Sequence, residues 1–160
     1  MGSPIITSEP PEQLQKILLT VDLSEASSQL VPYVTTMAEK FESEIHLLFV
    51  ARLLQHFTSI YVPHASIDNF EKELVDGAEK KLLEFEEEYF GSFSNIKTTV
   101  VIGSIAEEIL DYIQSEGIDL LIMGTHGRQG LDKIIFGSVA DRVIKSVPIP
   151  VLLVNPFTPK

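Results

Sequence analysis

Glycines recur at short spacing in the segment DLLIMGTHGRQGLDKIIFGS. Gly124, Gly127 and Gly130 are each separated by three residues, and Gly137-Ser138 closes the segment ahead of a helical pattern. Glycine lacks a Cβ and lets another group approach the backbone closely, while Ser138 is a residue type that serves as a helix N-cap. A glycine-rich loop that leads into a helix N-terminus presents unpaired N–H groups to an anion. The spacing therefore predicts a phosphate site, and hence a nucleotide site.

This pattern differs from two widespread phosphate loops. No Gly-Lys-Ser/Thr follows the glycines, as a P-loop requires, and the Gly-x-Gly pair of the dinucleotide fingerprint is missing. Ordinary turns are the alternative explanation for glycines at this spacing.

Three other side chains could contact a nucleotide: one follows the first predicted strand, and two lie within the glycine-rich segment. Asp22 directly follows a compact apolar run at residues 16–21, and it either binds the ribose of a nucleotide or caps the next helix. His126 has no second histidine or carboxylate at ligand spacing, so we expect a hydrogen bond to phosphate or to the loop backbone and no metal site. Arg128 contacts either phosphate or solvent, and phosphate is favoured because a guanidinium suits oxyanions.

Apolar runs and helical stripes alternate along the chain, which predicts an α/β fold with a parallel sheet covered on both faces. The predicted strands are at 16–21, 44–51, 96–102, 120–123 and 150–154. The predicted helices start at Ser24 and Ser104 and cover 68–90 and 138–147, and a long loop is predicted at 52–67. In such sheets a ligand lies beyond the carboxyl ends of the strands, where the strand order reverses. We therefore expect Asp22 and the glycine loop to be neighbours.

Several local signals refine the helices. Pro32 should kink the first helix or shift its start, and Ser104 with Glu107 has the spacing of a capping box. Gly117 is placed to end the same helix. For the helix at 68–90 the predicted buried stripe is Phe70, Leu74, Ala78, Leu82, Phe85 and Tyr89. For the last helix it is Val139, Val143 and Ile144.

Composition limits the possible partners. The chain has 160 residues, no cysteine and a net charge of −11. We expect a loose leader at 1–15 followed by one domain at 16–160, located in the cytoplasm. An acidic surface repels nucleic acid and anionic lipid, so neither is an expected partner. A nucleotide would have to be held by main-chain amides, a helix terminus and a divalent cation.

The chain resembles the universal stress protein family from Lys16 to Val154. Gly124-x-x-Gly127, nine residues, then Gly137-Ser138 looks like the family's ATP-binding pattern. The stretches that resemble the family's opening, third helix and close are VDLSEAS at 21–27, GSIAEEIL at 103–110, and GSVADRVI at 137–144 with PVLLV at 150–154. The resemblance implies a three-layer, Rossmann-like fold of the adenine nucleotide alpha hydrolase type, with five parallel strands in the order 3-2-1-4-5. It also implies a homodimer joined through the edge strand at about 150–154.

The resemblance further implies which positions contact ATP, or AMP or ADP in its place, together with Mg²⁺. Thr20, Val21 and Asp22 would touch ribose and adenine, and Val50 would pack on adenine. The loop and the following helix would hold the ribose and the phosphates through Met123, Gly124, Thr125, His126, Gly127, Arg128, Gly130, Gly137, Ser138 and Val139. Ala140 stands where the family often has a hydroxyl.

Three functions follow from these observations. The first is an ATP-binding regulatory module of stress response that couples nucleotide occupancy to dimerisation or to an unknown protein partner. The second is a slow ATPase or phosphotransferase, for which Asp22 is the one acidic candidate at a strand end. At most weak hydrolysis is expected, since no water-activating carboxylate or lysine is evident near the loop. The third is a module that works by dimerisation alone.

Overall fold

The computed structural model describes residues 13–52, 64–125 and 137–157, with the side chains of residues 64 and 65 excepted. The strands are β1 (Lys16–Thr20), β2 (Glu44–Ala51), β3 (Ile96–Ile102), β4 (Leu120–Gly124) and β5 (Val151–Val154). The helices are α1 (Glu25–Ser28), α2 (Val31–Phe41), α3 (His64–Phe90), α4 (Ile105–Glu116) and α5 (Ser138–Ile144). Within the described residues, no helix is both long enough and apolar enough to span a membrane.

All strands pair in parallel in one five-stranded sheet of order β3-β2-β1-β4-β5, which confirms the expected topology. β1 lies at the centre, with β2 on one side and β4 on the other. The register aligns Leu19 with Leu47 of β2 and with Ile122 of β4. The three strands therefore end close together at the carboxyl-terminal edge of the sheet.

Helices cover both faces of the sheet, so the domain has three layers. The first buried cluster contains Ile17 and Leu19 of β1 packed under α2 and α3, and the second contains Leu18 packed under α4 and α5. These three side chains are fully buried. Burying each such side chain contributes roughly 1.5–3 kcal/mol, which explains why β1 is an uninterrupted apolar run.

The predicted helix from Ser24 onward is two helices. Ser24 is the N-cap of the short α1, and Pro32 lies in the first turn of α2. Proline is tolerated there because first-turn N–H groups have no partner within a helix. The expectation that Pro32 shifts the helix start is thus confirmed.

α3 begins at His64, four residues before the predicted start at 68, so part of the predicted loop is helical. Ala78, Leu82 and Phe85 of the predicted stripe are buried, whereas Phe70 is 41% and Tyr89 38% exposed. Fully buried Phe90 takes the inward position at the end of the helix in place of Tyr89. The stripe was wrong at both ends because only part of this long helix packs on the sheet.

The prediction for the C-terminal end of α4 is confirmed, whereas the prediction for its N-terminal end is wrong. Gly117 adopts the left-handed conformation at the C-cap, with φ of 65°, as predicted. Ser104 is the N-cap, but its side chain makes no capping hydrogen bond, so the predicted capping box is wrong. Glu107 instead accepts a hydrogen bond from Arg142 of α5 at 2.6 Å. A contact between helices has replaced the local one.

The last helix and strand are shorter than predicted. α5 ends at Ile144, not at 147, and β5 begins at Val151, not at Pro150. Ile144 is 37% exposed, while Ala140 and Val143 are the buried residues of α5. The inward stripe was therefore misplaced by one position at its end.

Candidate functional site

The carboxyl-terminal edge of the sheet brings the predicted site elements together. The chain leaves β1 toward β2 on one side, whereas β4 and β5 lie on the other, so the strand order reverses between β1 and β4. Asp22 follows β1 and Thr125 follows β4 at this point. The expectation that these two strand ends are neighbours is confirmed, and the crevice is where ligands bind in open α/β sheets.

Asp22 is held by the turn that follows it. Its Oδ1 accepts hydrogen bonds from Ser24 N at 3.0 Å, Ser24 Oγ at 2.5 Å and Ser27 Oγ at 2.7 Å. Its own N–H donates to Ser27 Oγ at 2.9 Å. The carboxylate therefore orders the turn that leads into α1, and its orientation at the sheet edge is fixed. It does not cap that helix, because the N-cap is Ser24 and no side-chain capping hydrogen bond is formed.

The turn contains one strained residue. Leu23 has φ of 59°, in the left-handed region that costs a non-glycine residue roughly 1–2 kcal/mol. The hydrogen bonds of Asp22 and the packing of Leu23 against the first buried cluster compensate for this cost.

The two ends of the glycine-rich segment are joined to each other. Gly137 N donates to Thr125 O at 2.8 Å, and Thr125 N donates to Val154 O of β5 at 2.9 Å. A Cβ on Gly137 would lie 3.2 Å from Thr125 O, so the absence of a side chain permits this close approach. The start of α5 is thereby fixed at the end of β4.

Gly137, not Ser138, is the N-cap of α5, and no side chain caps this helix. The predicted capping role of Ser138 is wrong, because the N-cap lies one residue earlier and Ser138 is the exposed first residue of the helix. The first turn of α5 therefore begins directly after Gly137, the residue that is joined to the end of β4. Asp141 also lies in this first turn and pairs with Lys145 at 2.8 Å.

The apolar members of the predicted set lie mostly on one face of the sheet. Val50, Met123 and Ala140 are buried in the second cluster, and Val139 packs against it. Ala140 is 2% exposed, so its methyl group belongs to the core.

Thr20 and Val21 lie on opposite faces. Thr20 shares the face of the second cluster with Leu18, because side chains alternate along a strand. Val21 is buried in the first cluster, so main-chain atoms are what it can offer to a ligand at this edge. The predictions for His126, Gly127, Arg128 and Gly130 fall outside the described residues.

Ser24 and Ser27 are part of this edge, and the sequence reasoning did not assign them a role there. The available signal was the spacing Asp-x-Ser-x-x-Ser at residues 22–27, since a serine two residues after an aspartate can close a turn on its carboxylate. Ser27 is 2% exposed.

A second polar cluster lies at the opposite, amino-terminal edge of the sheet. His46 of β2 is fully buried, and its Nδ1 is 2.8 Å from the Tyr112 hydroxyl of α4. Its Nε2 is hydrogen-bonded to Glu44, and Thr99 Oγ1 is 3.2 Å from the same Tyr112 hydroxyl. Burial raises the pKa of Tyr112, although the hydrogen bond with Thr99 acts in the opposite direction. Both ring nitrogens of His46 are thus bonded to neighbouring side chains, which gives this histidine a structural role.

An ion pair flanks this cluster. Lys97 Nζ donates to Glu116 Oε2 at 2.8 Å, and this bond lowers the pKa of Glu116 and raises that of Lys97. Lys16 Nζ donates to the Glu116 carbonyl at 2.8 Å, which ties β1 to the end of α4. In residues 13–52, 64–125 and 137–157, no three His, Cys, Asp or Glu side chains are grouped so that they could hold a metal ion.

Comparisons with known proteins agree with the fold. The sequence profile of the Universal stress protein family matches residues 13–155. Universal stress protein MJ0531 of Methanocaldococcus jannaschii is 32% identical over 143 residues, which cover 88% of this chain and 82% of that protein.

Two solved structures show the same fold. MJ0577, a universal stress protein of the same organism, has a structure with a TM-score of 0.77 and 29% identity, covering 89% of this chain and 96% of the other. A universal stress protein in complex with cAMP has a TM-score of 0.55 and 19% identity, covering 89% of this chain and 97% of the other. At that identity the second likeness shows the fold alone.

Proposed function

The chain belongs to the universal stress protein family, and from this premise we propose that it binds an adenine nucleotide, ATP with Mg²⁺ being the foremost candidate, as a regulatory module of stress response. The observation that carries the proposal is the joint between Thr125 and Gly137 at the point where the strand order reverses. This joint holds the start of α5 at the end of β4, the strand that pairs with β1, and Asp22 directly follows β1.

The charge of the chain favours main-chain binding. With a net charge of −11, long-range attraction cannot draw a polyphosphate to this protein. Amides in the first turn of α5 are local donors that do not depend on that field. The Mg²⁺ would neutralise part of the phosphate charge. A universal stress protein of the same fold holds cAMP, which is itself an adenine nucleotide.

The remaining contacts follow from the placement of the side chains. Asp22 would bind the ribose, and Val50 and Met123 supply apolar surface for the adenine from the face of the second cluster. The Thr20 side chain lies on the same face. The phosphates would lie against Gly124, Thr125 and the start of α5.

Nucleotide occupancy is proposed to act on dimerisation through β5. This strand is at the end of the sheet and pairs with β4 on one side. Edge strands offer main-chain groups to a second copy of the same chain. Thr125 N binds Val154 O, so the nucleotide edge and the proposed dimer edge are linked by one hydrogen bond. Molar mass measured by light scattering, with and without ATP, tests the link, and a mass that ATP leaves unchanged contradicts it.

Calorimetric titration with ATP in the presence of Mg²⁺ tests the binding itself. We expect saturable binding that a Gly127→Val substitution abolishes, because a branched side chain would occupy the space predicted for the phosphates. Gly77→Ala is the matched control: Gly77 lies in α3, and a Cβ there meets nothing within 4 Å. Wild-type protein that shows no saturable heat with ATP and Mg²⁺ refutes the proposal.

A further inference from the structure

We propose that Ser27 is a positioning residue that holds Asp22 for its contact with ribose, an inference that rests on the proposed function. Ser27 lies in the last turn of α1, five residues after Asp22, and is 2% exposed. Because this hydroxyl is buried, water does not compete for its hydrogen bonds to Asp22.

The single hydroxyl of Ser27 makes two hydrogen bonds to the same residue. It donates to Asp22 Oδ1 at 2.7 Å and accepts from Asp22 N at 2.9 Å. The two bonds fix the side chain and the main chain of Asp22 at once. Ser24 adds a second hydroxyl, 2.5 Å from the same Oδ1.

The hydroxyls of Ser24 and Ser27 form hydrogen bonds to Asp22, although the Ser24 hydroxyl could instead cap α1. Ser24 is the N-cap of α1, yet its side chain makes no capping hydrogen bond. A serine at this position ordinarily accepts a hydrogen bond from an N–H group of the first turn. The turn also contains Leu23 in a left-handed conformation. The turn therefore lacks a side-chain N-cap and contains a strained residue, while it holds the carboxylate of Asp22 in a single orientation.

A fixed carboxylate matters for binding because a hydrogen bond to a ribose hydroxyl is directional. An acceptor that is already oriented loses no rotational freedom when the ligand arrives. Without the Ser27 hydroxyl, Asp22 Oδ1 would keep the two donors of Ser24 but would be held less firmly, so its contact with ribose would weaken.

Titration with two nucleotides separates positioning from general loosening of the turn. The probes are ATP and 2′,3′-dideoxy-ATP, which lacks both ribose hydroxyls. We expect Ser27→Ala to weaken ATP binding roughly tenfold, because the hydrogen bond between a ribose hydroxyl and the charged Asp22 carboxylate is weakened. The binding of dideoxy-ATP should change less than twofold, because this nucleotide cannot form that bond. A merely structural role would weaken both nucleotides equally, and that result overturns the inference.

Two further variants keep the test decisive. Ser28→Ala is the control in the same helix, because Ser28 Oγ donates to the Glu25 carbonyl and not to Asp22. It should bind both nucleotides as the wild type does. Ser24→Ala removes one donor to Oδ1 but keeps both hydrogen bonds between Asp22 and Ser27, so we expect a smaller loss of affinity, confined to ATP. This variant decides the matter if Ser27→Ala does not fold, and an equal loss for both nucleotides again overturns the inference.

The outcomes for the wild type distinguish this inference from the proposed function. Wild-type protein that binds neither nucleotide refutes the proposed function, and the inference with it. Wild-type protein that binds ATP and dideoxy-ATP equally tightly leaves nucleotide binding in place but overturns the role of Ser27, because Asp22 then makes no contact with ribose.

Discussion

The elements at the two edges of the sheet are joined by different kinds of contact. At the carboxyl-terminal edge, main-chain groups join the elements, as in the bond from Gly137 N to Thr125 O. At the amino-terminal edge, side chains do so: buried His46 bridges Glu44 and Tyr112, and Lys97 pairs with Glu116. The side-chain bonds at the carboxyl-terminal edge, from Ser24 and Ser27 to Asp22, stay within one turn, whereas those at the amino-terminal edge join β2 and β3 to α4.

This difference predicts whether a substitution lowers the free energy of unfolding or weakens nucleotide binding. Buried polar networks are costly to break, because a group left without its partner has already lost its contact with water. Changes at the amino-terminal edge should therefore lower the free energy of unfolding and leave nucleotide binding intact. Changes at the carboxyl-terminal edge should do the reverse.

The largest effect is expected from His46→Ala. The substitution opens a cavity beneath α4 and removes a partner from Tyr112 and Glu44, so the free energy of unfolding should fall by about 3 kcal/mol. Urea unfolding measures this loss, and ATP affinity should remain within twofold of the wild type.

Lys97→Ala is the control for this change. Lys97 is paired with His46 in the strand register, but its side chain is 49% exposed, so only a small loss is expected. A His46→Ala variant that is as stable as Lys97→Ala, or that loses ATP binding while it is folded, would contradict the proposed division between the edges.

A smaller effect is expected from Tyr112→Phe, which removes a hydroxyl that lies beside His46 and Thr99. The free energy of unfolding near pH 7 should fall by about 1.5 kcal/mol. Burial raises the pKa of Tyr112, so the folded protein keeps this proton at a pH where the unfolded chain has lost it. The wild type therefore loses stability as the pH rises above about 10, and the phenylalanine variant lacks that part of the loss.

The gap in stability between wild type and Tyr112→Phe should accordingly narrow between pH 9 and pH 11. Tyr33→Phe is the matched control, because Tyr33 is 48% exposed. Its stability should stay within about 0.5 kcal/mol of the wild type. If the difference in unfolding free energy between wild type and Tyr112→Phe stayed constant across this pH range, the pKa of Tyr112 would be the same in the folded and unfolded chains.

Much of the fold could be predicted because its signals are local. The strands are short apolar runs, and Gly117 ended a helix where the sequence placed its end. Asp22 and the glycine segment were expected to be neighbours from the rule for parallel sheets, while the strand order itself came from the family resemblance. The position of Asp22 next to the end of β4 could thus be predicted from the sequence.

The failures have a common physical cause, which is competition from tertiary contacts. Glu107 has the spacing of a capping box, yet it pairs with Arg142, 35 residues away. Tyr112 meets His46 across 66 residues, and nothing in the local pattern of either indicates the other. Phe90 replaced Tyr89 as the inward residue because the end of α3 is fitted to the sheet and not to an ideal helical period.

The smallest effects should come from replacing one glycine at each edge by alanine. Gly117 has φ of 65° and open space around it, so Gly117→Ala should cost about 1 kcal/mol through the backbone alone and leave ATP affinity unchanged. Gly137 has an ordinary φ of −56°, but a Cβ there would lie 3.2 Å from Thr125 O. Thr125 must yield by a few tenths of an ångström, so Gly137→Ala should shift the start of α5, with less than about 1 kcal/mol lost in stability.

ATP affinity should then fall roughly fivefold in Gly137→Ala, because a small misplacement of donors weakens every bond they make to the phosphates. The same titration and the same unfolding measurement on both variants make the comparison. The reverse pattern, with affinity lost in Gly117→Ala and stability lost in Gly137→Ala, would show that the two edges do not divide binding from stability. Equal affinity in wild type and Gly137→Ala would show that the joint between Thr125 and Gly137 does not position the ligand.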